Sequence, residues 1–297
     1  IAVVTAVGTI MRGPSRREFN PLFGASDVMG SDTIAAAFRA VRKDKSIKAV
    51  VFRVDSPGGS ALASEIIREE MARTAEEIPV VVSMTNVAGS GGYWITCGAQ
   101  RIVADPATIT GSIGVLTGHL NTEAFWRDKL GITYGKADFG ANANIYGSLE
   151  DWNDQQRAIV DRVLDKIYDR FVTLVSESRG MTWDEVDAIG RGRVFTGNQA
   201  VENGLVDVVG GFDVALAEAK RLAEIDADAD VRLADYPRTR PWWQQFVNKK
   251  SDEQVALESI LRDYETFVTT GQVPFQGEVR MPPLSLIAAA ATRSSPR

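Results

Sequence analysis

The chain has 297 residues, 44% of them hydrophobic and 24% charged, a globular composition that excludes wholesale disorder, a collagen-like chain and a coiled coil. Its net charge of −6 argues against a phosphate-binding surface, so no nucleic-acid partner is expected. One cysteine, Cys97, and one histidine, His119, exclude an intramolecular disulfide and multi-cysteine or multi-histidine metal centres, and no metal or other cofactor is expected.

Residues 1–10 (IAVVTAVGTI) are β-branched and predict a buried strand. Met11–Ser31, rich in Gly, Pro, Ser and Asn, reads as a loop. Asp32 then caps a helix with Ile34, Ala37, Phe38 and Val41 on one face. Ile47–Val54 is a second apolar strand running into DSPGGS. Ser64–Thr74 predicts a helix, and Pro79–Met84 a third strand running into NVAGSGG. Tyr93–Ala99 reads as helical, Arg101–Ala104 as a short strand, and TGSIGV follows at 110–115. Strands alternating with helices over short connections imply an α/β fold, a parallel sheet covered by helices.

Ile159, Val160, Val163, Leu164, Ile167, Phe171, Leu174 and Val175 keep helical spacing and predict one long amphipathic helix over Asn153–Gly180. A shorter helix follows Thr182, then RVFTGNQAVENGLVD, then a helix over Phe212–Ala223. Composition shifts at DADADVRLADYPRTRP (226–241). The expected organisation is therefore a domain over 1–225, then a linker and tail over 226–297. That tail holds Trp242–Trp243, an amphipathic stretch near Val255–Val268 and an Ala/Ser/Pro/Arg end expected to be disordered. No internal repeat is apparent. No uncharged apolar run approaches the roughly 20 residues that a membrane-spanning helix needs. A chain opening at Ile1, without Met, reads as a piece of a longer one whose anchor or targeting segment lies elsewhere.

Three Gly-rich turns each follow a predicted strand: Asp55–Ser60, Ala88–Gly92 and Thr110–Gly114. In a parallel sheet such turns gather at the carboxyl edge, where sites form. Ser90 lies between glycines at a strand-to-helix turn, where small neighbours admit an acyl group and backbone N–H groups stabilise developing negative charge. The plainer reading is a serine capping the first helical turn. Gly58 and Gly59 read equally as turn residues or as part of an oxyanion hole.

VDSPGGSALASEIIREE, VVVSMTNVAGSGGYWITCGA, IVADPATITGSIGV and GRVFTGNQAVENGLVD resemble the signal peptide peptidase A (protease IV) family. These are membrane-anchored serine peptidases of the Clp-protease/crotonase superfamily, and the resemblance runs from Ile1 to about Ile225. It implies a spiral of ββα units, then a long helix and a helical assembly region. Ser90 matches the family nucleophile, although Gly89 replaces the more usual alanine. Gly59 and Gly91 match the oxyanion-hole donors, and Ser112 the residue that hydrogen-bonds the general base. That base is a lysine, and this sequence departs there. Ala143 or Asn144 falls at its position, and Lys136 lies upstream of it. Long, two-domain members take the lysine from their amino-terminal half and the serine from their carboxy-terminal half, which this chain resembles.

The resemblance implies a Ser/Lys endopeptidase degrading cleaved signal peptides and other short apolar peptides. It further implies a homo-oligomer held at the inner membrane by a segment outside this chain, with its site on the extracytoplasmic, periplasmic side. A crotonase-like acyl-CoA enzyme and a non-catalytic scaffold half remain rival readings. His119 lacks an obvious acidic partner for a serine–histidine pair and reads as a surface or capping residue. Cys97 reads as a small core hydrophobe, Trp242–Trp243 as tail packing or a membrane-surface contact, and DADAD as a solvated linker.

Overall fold

Runs of β-branched residues place the strands, and Gly-rich punctuation places the turns between them. The computed structural model describes residues 1–20 and 24–238. In chain order the elements are β1 (Ala2–Val7), β2 (Thr9–Met11), β3 (Arg16–Asn20), β4 (Gly24–Gly30), α1 (Ser31–Lys43), β5 (Val50–Ser56) and α2 (Ala61–Ala75). Then come β6 (Val80–Gly89), α3 (Gly91–Trp94), β7 (Arg101–Ala104), β8 (Ile109–Gly111), α4 (Glu123–Leu130) and α5 (Asp154–Arg179). The last are α6 (Trp183–Ile189), β9 (Val194–Thr196), α7 (Gly197–Glu202), β10 (Val208–Val209), α8 (Phe212–Leu222) and β11 (Ala234–Tyr236).

The main sheet runs β10-β7-β6-β5-β1-β11, with every neighbouring pair parallel. This is the α/β architecture with a parallel-rich sheet that the alternation implied. Strand β6 changes partner along its length: Val81–Met84 pair with β7, and Val87–Gly89 pair with β8, which β9 joins antiparallel. Both faces of the central strands are covered, so they read as continuous apolar runs rather than alternating ones. On β5, Val50, Phe52 and Val54 face the larger core with Phe38, Ile67 and Met71, while Val51 packs toward Ala215 and Ala219 of α8.

The expected loop over Met11–Ser31 is instead a small sheet, β2-β4-β3, in which β3 and β4 pair antiparallel. Gly, Pro, Ser and Asn dominate there, and Arg16–Glu18 are exposed, so backbone pairing makes these strands without an apolar pattern to announce them. Gly8, at φ +100°, turns the chain and divides the single strand expected over residues 1–10 into β1 and β2. Gly30, not Asp32, occupies the N-cap of α1, and Asp32 sits in its first turn. Helix α2 begins before Ser64, because the Ser60 side chain caps it by accepting from the Ala63 N–H. Strand β6 continues past Met84 to Gly89, and α3 is confined to Gly91–Trp94 rather than running over 93–99.

The long helix has the expected limits. Asn153 and Gln156 form a capping box, and Gly180 closes the helix at φ +65°. Its apolar stripe is covered only toward the carboxyl end, where Phe171, Val172, Leu174 and Val175 are buried, whereas Val163 is exposed. Strand β11 lies inside the stretch expected as a linker and pairs with β1. Trp242–Trp243, the Val255–Val268 stretch and the tail lie outside the described residues. Among the described residues no helix is long and apolar enough to cross a membrane.

Candidate active site

The first of the three turns leaves β5 at Ser56, a buried residue whose hydroxyl donates to the Gly8 carbonyl at 2.7 Å and accepts from the Gly58 N–H at 3.1 Å. Gly58 and Gly59 follow at φ +102° and +151°, a conformation that side chains disfavour. A Cβ on Gly59 would lie 2.2 Å from the Ile10 carbonyl oxygen, so that position has no room for one. Ile10 N–H donates to the Gly58 carbonyl, and Ser60 N–H donates to the Ile10 carbonyl. The Gly59 N–H is left without an acceptor among the described residues.

Ser90 forms the second turn, between β6 and α3, at φ +52° and ψ −122°. A non-glycine residue there is strained and persists only when its surroundings fix it. They do so here: Ser90 N–H donates to the Gly111 carbonyl at 2.9 Å, and its own carbonyl accepts from the N–H groups of Tyr93 and Trp94, each at 2.9 Å. Ser90 occupies the N-cap position of α3, yet its hydroxyl makes no capping bond. The plain capping role therefore does not describe it. A Cβ on Gly91 would lie 2.6 Å from the Ser64 hydroxyl and 3.2 Å from the Gly59 nitrogen, so Gly59 and Gly91 lie side by side, and both line a cavity with Ser90. Gly91 N–H also lacks an acceptor among the described residues.

The third turn carries Gly111 at φ +80° and Ser112 at φ +50°, held by the Ser112 N–H donating to the Arg193 carbonyl at 2.7 Å. A Cβ on Gly89 would meet that of Ser112 at 3.6 Å, which sets Ser112 beside the turn that carries Ser90. Ser90, Ser112 and Arg191, all non-glycine residues with positive φ, line one cavity of about 560 Å³ together with Leu164 and Tyr168. A second cavity of about 220 Å³ opens from Ser90 between Gly59, Gly91, Trp94, Ile167 and Phe171. A third, of about 590 Å³, is lined by Arg53, Asp55, Asn86 and Asp105 and holds none of the candidate residues.

The structure thus brings Ser90, Gly59, Gly91 and Ser112 together. Lys136 does not join them. It lines neither cavity at Ser90, is largely exposed and ion-pairs with Glu150. Asn144, at the position where the resemblance expects a lysine, bonds the side chains of Glu150 and Gln156. His119 stacks on Trp152 at 4.6 Å, its Nε2 against the Glu150 carbonyl oxygen. Cys97 is buried, and burial pushes its thiol up to about 12, which suits the core role read from the sequence. Among the described residues no cluster of His, Cys, Asp or Glu suits a metal ion.

Sequence reasoning missed the supports. Ser56 braces the glycine turn, Ser64 sets its hydroxyl where a Cβ on Gly91 would fall, and the fully buried Tyr93 donates its hydroxyl proton to the Leu205 carbonyl at 2.7 Å, anchoring α3 from below. Ser56 stood inside the DSPGGS string, but nothing local to Tyr93 points to Leu205.

The model for "Peptidase family S49" matches residues 72–226. Protease 4 of Salmonella typhi is 41% identical over 226 residues, which cover 76% of this chain and 35% of that protein. Protease 4 of Haemophilus influenzae is 40% identical over 266 residues, covering 88% of this chain and 39% of its own length. A putative signal peptide peptidase SppA of Enterococcus faecium is 36% identical over 227 residues, 76% of this chain and 65% of the relative. The chain spans little more than a third of the length of the first two.

Proposed function

The chain belongs to peptidase family S49, and from that premise we propose that it supplies the nucleophile and the oxyanion hole of a serine endopeptidase. The observation that carries this reading is Ser90 itself: a strained residue that lines two cavities, with no capping bond from its hydroxyl, beside two amides that have no acceptor among the described residues. Ser90 Oγ attacks the scissile carbonyl carbon, and the N–H groups of Gly59 and Gly91 hold the oxygen as it gains negative charge. The C–N bond then breaks, the amine leaves with a proton, and water releases the acid from the acyl-enzyme.

A serine hydroxyl needs a base to take its proton, and among the described residues no lysine lines the cavities at Ser90. The base is a lysine from an upstream half of a longer protein, completing a Ser/Lys dyad, and Ser112, in the 560 Å³ cavity, orients it by hydrogen bonding. A lysine serves as base near neutral pH only when burial or neighbouring charge lowers its pKa from about 10.4. The smaller cavity, walled by Trp94, Ile167 and Phe171, suits short apolar side chains, as in cleaved signal peptides. The sheet with its flanking helices is the core of a Clp/crotonase-type spiral. The complete protein is a homo-oligomer anchored in the cytoplasmic membrane by a segment outside this chain, with the site on the extracytoplasmic face.

The test compares the chain alone with the full-length protein, using a short apolar peptide ester and a fluorophosphonate probe. Expected are turnover and Ser90 labelling in the full-length protein, and negligible turnover by the chain alone. Hydrolysis by the chain alone that disappears in Lys136→Ala would make Lys136 the base. Absence of labelling at Ser90 in the full-length protein would leave a scaffold, and tight binding of an acyl-CoA thioester would leave the acyl-CoA enzyme.

A further inference from the structure

The wall of the smaller cavity is tied to one carboxylate that the proposed chemistry does not use. Trp94 lines that cavity, and its ring packs on Phe171 with centroids 4.7 Å apart. Its indole Nε1–H donates to Glu65 of α2 at 2.7 Å. The same carboxylate accepts from Arg68 Nε at 2.8 Å, Arg68 Nη2 at 3.0 Å and Arg170 Nη2 at 3.0 Å. Arg170 sits on α5 next to Phe171 and one turn from Ile167, the two α5 residues that face the cavity. Glu65 therefore joins three separate elements that surround one space: α2, α3 and α5.

A buried indole N–H needs an acceptor, and Glu65 is the one Trp94 finds. A carboxylate does more, because it gathers donors from both sides of the cavity at once. With the N–H tethered, the Trp94 ring has a fixed tilt against Phe171. With Arg170 held as well, α5 cannot draw away from α3 without breaking a charged bond. Burial raises the Glu65 carboxyl, but the bonds from Arg68, Trp94 and Arg170 outweigh it and hold the group ionised, at about 2.

We propose that Glu65 is a positioning residue that locks Trp94 and α5 and thereby limits the 220 Å³ cavity beside Ser90 to small apolar side chains. The proposal rests on the peptidase reading for the identity of the occupant, but the shape of the cavity depends on Glu65 whatever Ser90 does. Removing the carboxylate frees the ring to swing and α5 to shift, so larger side chains gain more than small ones.

The experiment uses the full-length protein carrying Ser90→Ala, and capped peptides that present either alanine or phenylalanine to the cavity, with affinity followed by NMR titration. The expected result is that Glu65→Ala shifts the affinity ratio toward phenylalanine by about tenfold, the scale on which a hydrophobic pocket discriminates size. Glu65→Gln, which still accepts the indole N–H, should restore most of the original ratio, as a general loss of stability would not. Trp94→Phe removes the N–H without touching any charge, and it should shift the ratio in the same direction, which keeps the question answerable if Glu65→Ala does not fold. An unchanged ratio in folded Glu65→Ala, or in Trp94→Phe where that variant alone folds, overturns the proposal. So does failure of the Ser90→Ala protein to bind either peptide. In parallel, Ser90 of the unsubstituted protein is challenged with the fluorophosphonate. Absence of labelling with peptide binding intact overturns the peptidase reading alone.

Discussion

Residues 55–60, 89–92 and 110–114 and residues 115–152 lie on the same chain but follow opposite rules. In the three turns backbone approaches backbone so closely that Gly58 and Gly59 have no space for a methyl group, Gly91 is crowded by the Ser64 hydroxyl, and Ser90 and Ser112 are held at positive φ. Between 115 and 152 several large apolar side chains point outward: Leu116, Leu120, Phe139 and Tyr146 are among the most exposed of the described residues, and no residue of α4 is fully buried. Both regions are rich in glycine. The difference is what surrounds the glycines, since Gly131, Gly135 and Gly140 would meet nothing with an added Cβ. Glycine marks a site only where something presses against it.

The largest expected effect breaks the comparison on the chemical side. Ser90→Ala in the full-length protein should lower peptide hydrolysis by about four orders of magnitude or more while leaving circular dichroism unchanged. Retention of a tenth of the activity would assign the nucleophile elsewhere. Next, Gly59→Ala sets a side chain against the Ile10 carbonyl at an unfavourable φ, and should cost about 3 kcal/mol or more in denaturant unfolding. A loss below about 1 kcal/mol would mean the turn yields easily.

Ser112→Ala removes a hydroxyl that the reading assigns to orienting the base, and should raise the barrier by about 1–3 kcal/mol, with an altered pH profile for kcat/KM. An unchanged rate and profile would remove Ser112 from the machinery.

The next measurement is thermal melting against pH. Glu65 is held at about 2 against an ordinary 4.5, so the folded state binds its proton less readily than the unfolded chain. The stability it contributes is complete above about pH 4.5 and is lost as pH falls toward 2. Wild type should therefore lose more Tm across that window than Glu65→Gln, and parallel melting curves would contradict the ion-pair cluster.

The smallest effect sharpens the contrast from the other side. Phe139→Ser in this chain should change stability by no more than about 0.5 kcal/mol, because the ring touches solvent rather than core. A larger loss in urea unfolding would place Phe139 under a covering that the isolated chain forms.

The sheet was legible because its information is local. Val50–Val54, Val80–Met84 and Arg101–Ala104 are short apolar runs closed by turn residues, and Asn153 and Gly180 announce both ends of α5. Strands β3 and β4 were not legible, since Arg16–Glu18 of β3 and Ser26–Asp27 of β4 are polar and exposed, and the buried Val28 and Met29 are too short an apolar run to announce a strand. Ser90, Gly59, Gly91 and Ser112 were legible as turns and, through resemblance, as a set. Glu65, Ser64 and Tyr93 were hidden, because each acts on a partner distant in sequence and each looks like an ordinary helix residue in its own neighbourhood.

The Tyr93 hydroxyl reaches a carbonyl 112 residues further along the chain, and Arg170 reaches Glu65 across 105. During synthesis the turn at Ser90 therefore leaves the ribosome before the residues that Tyr93 and Glu65 bond. Local turns close in microseconds or less, but a contact of such separation waits for the intervening chain and carries a larger closure entropy. Until Leu205 has emerged, the turn at Ser90 has only its nearer bonds, to Gly111, Tyr93 and Trp94, and the Tyr93 hydroxyl lacks its acceptor. A chain ending before that point therefore carries the Ser90 turn without the carbonyl that receives the Tyr93 hydroxyl.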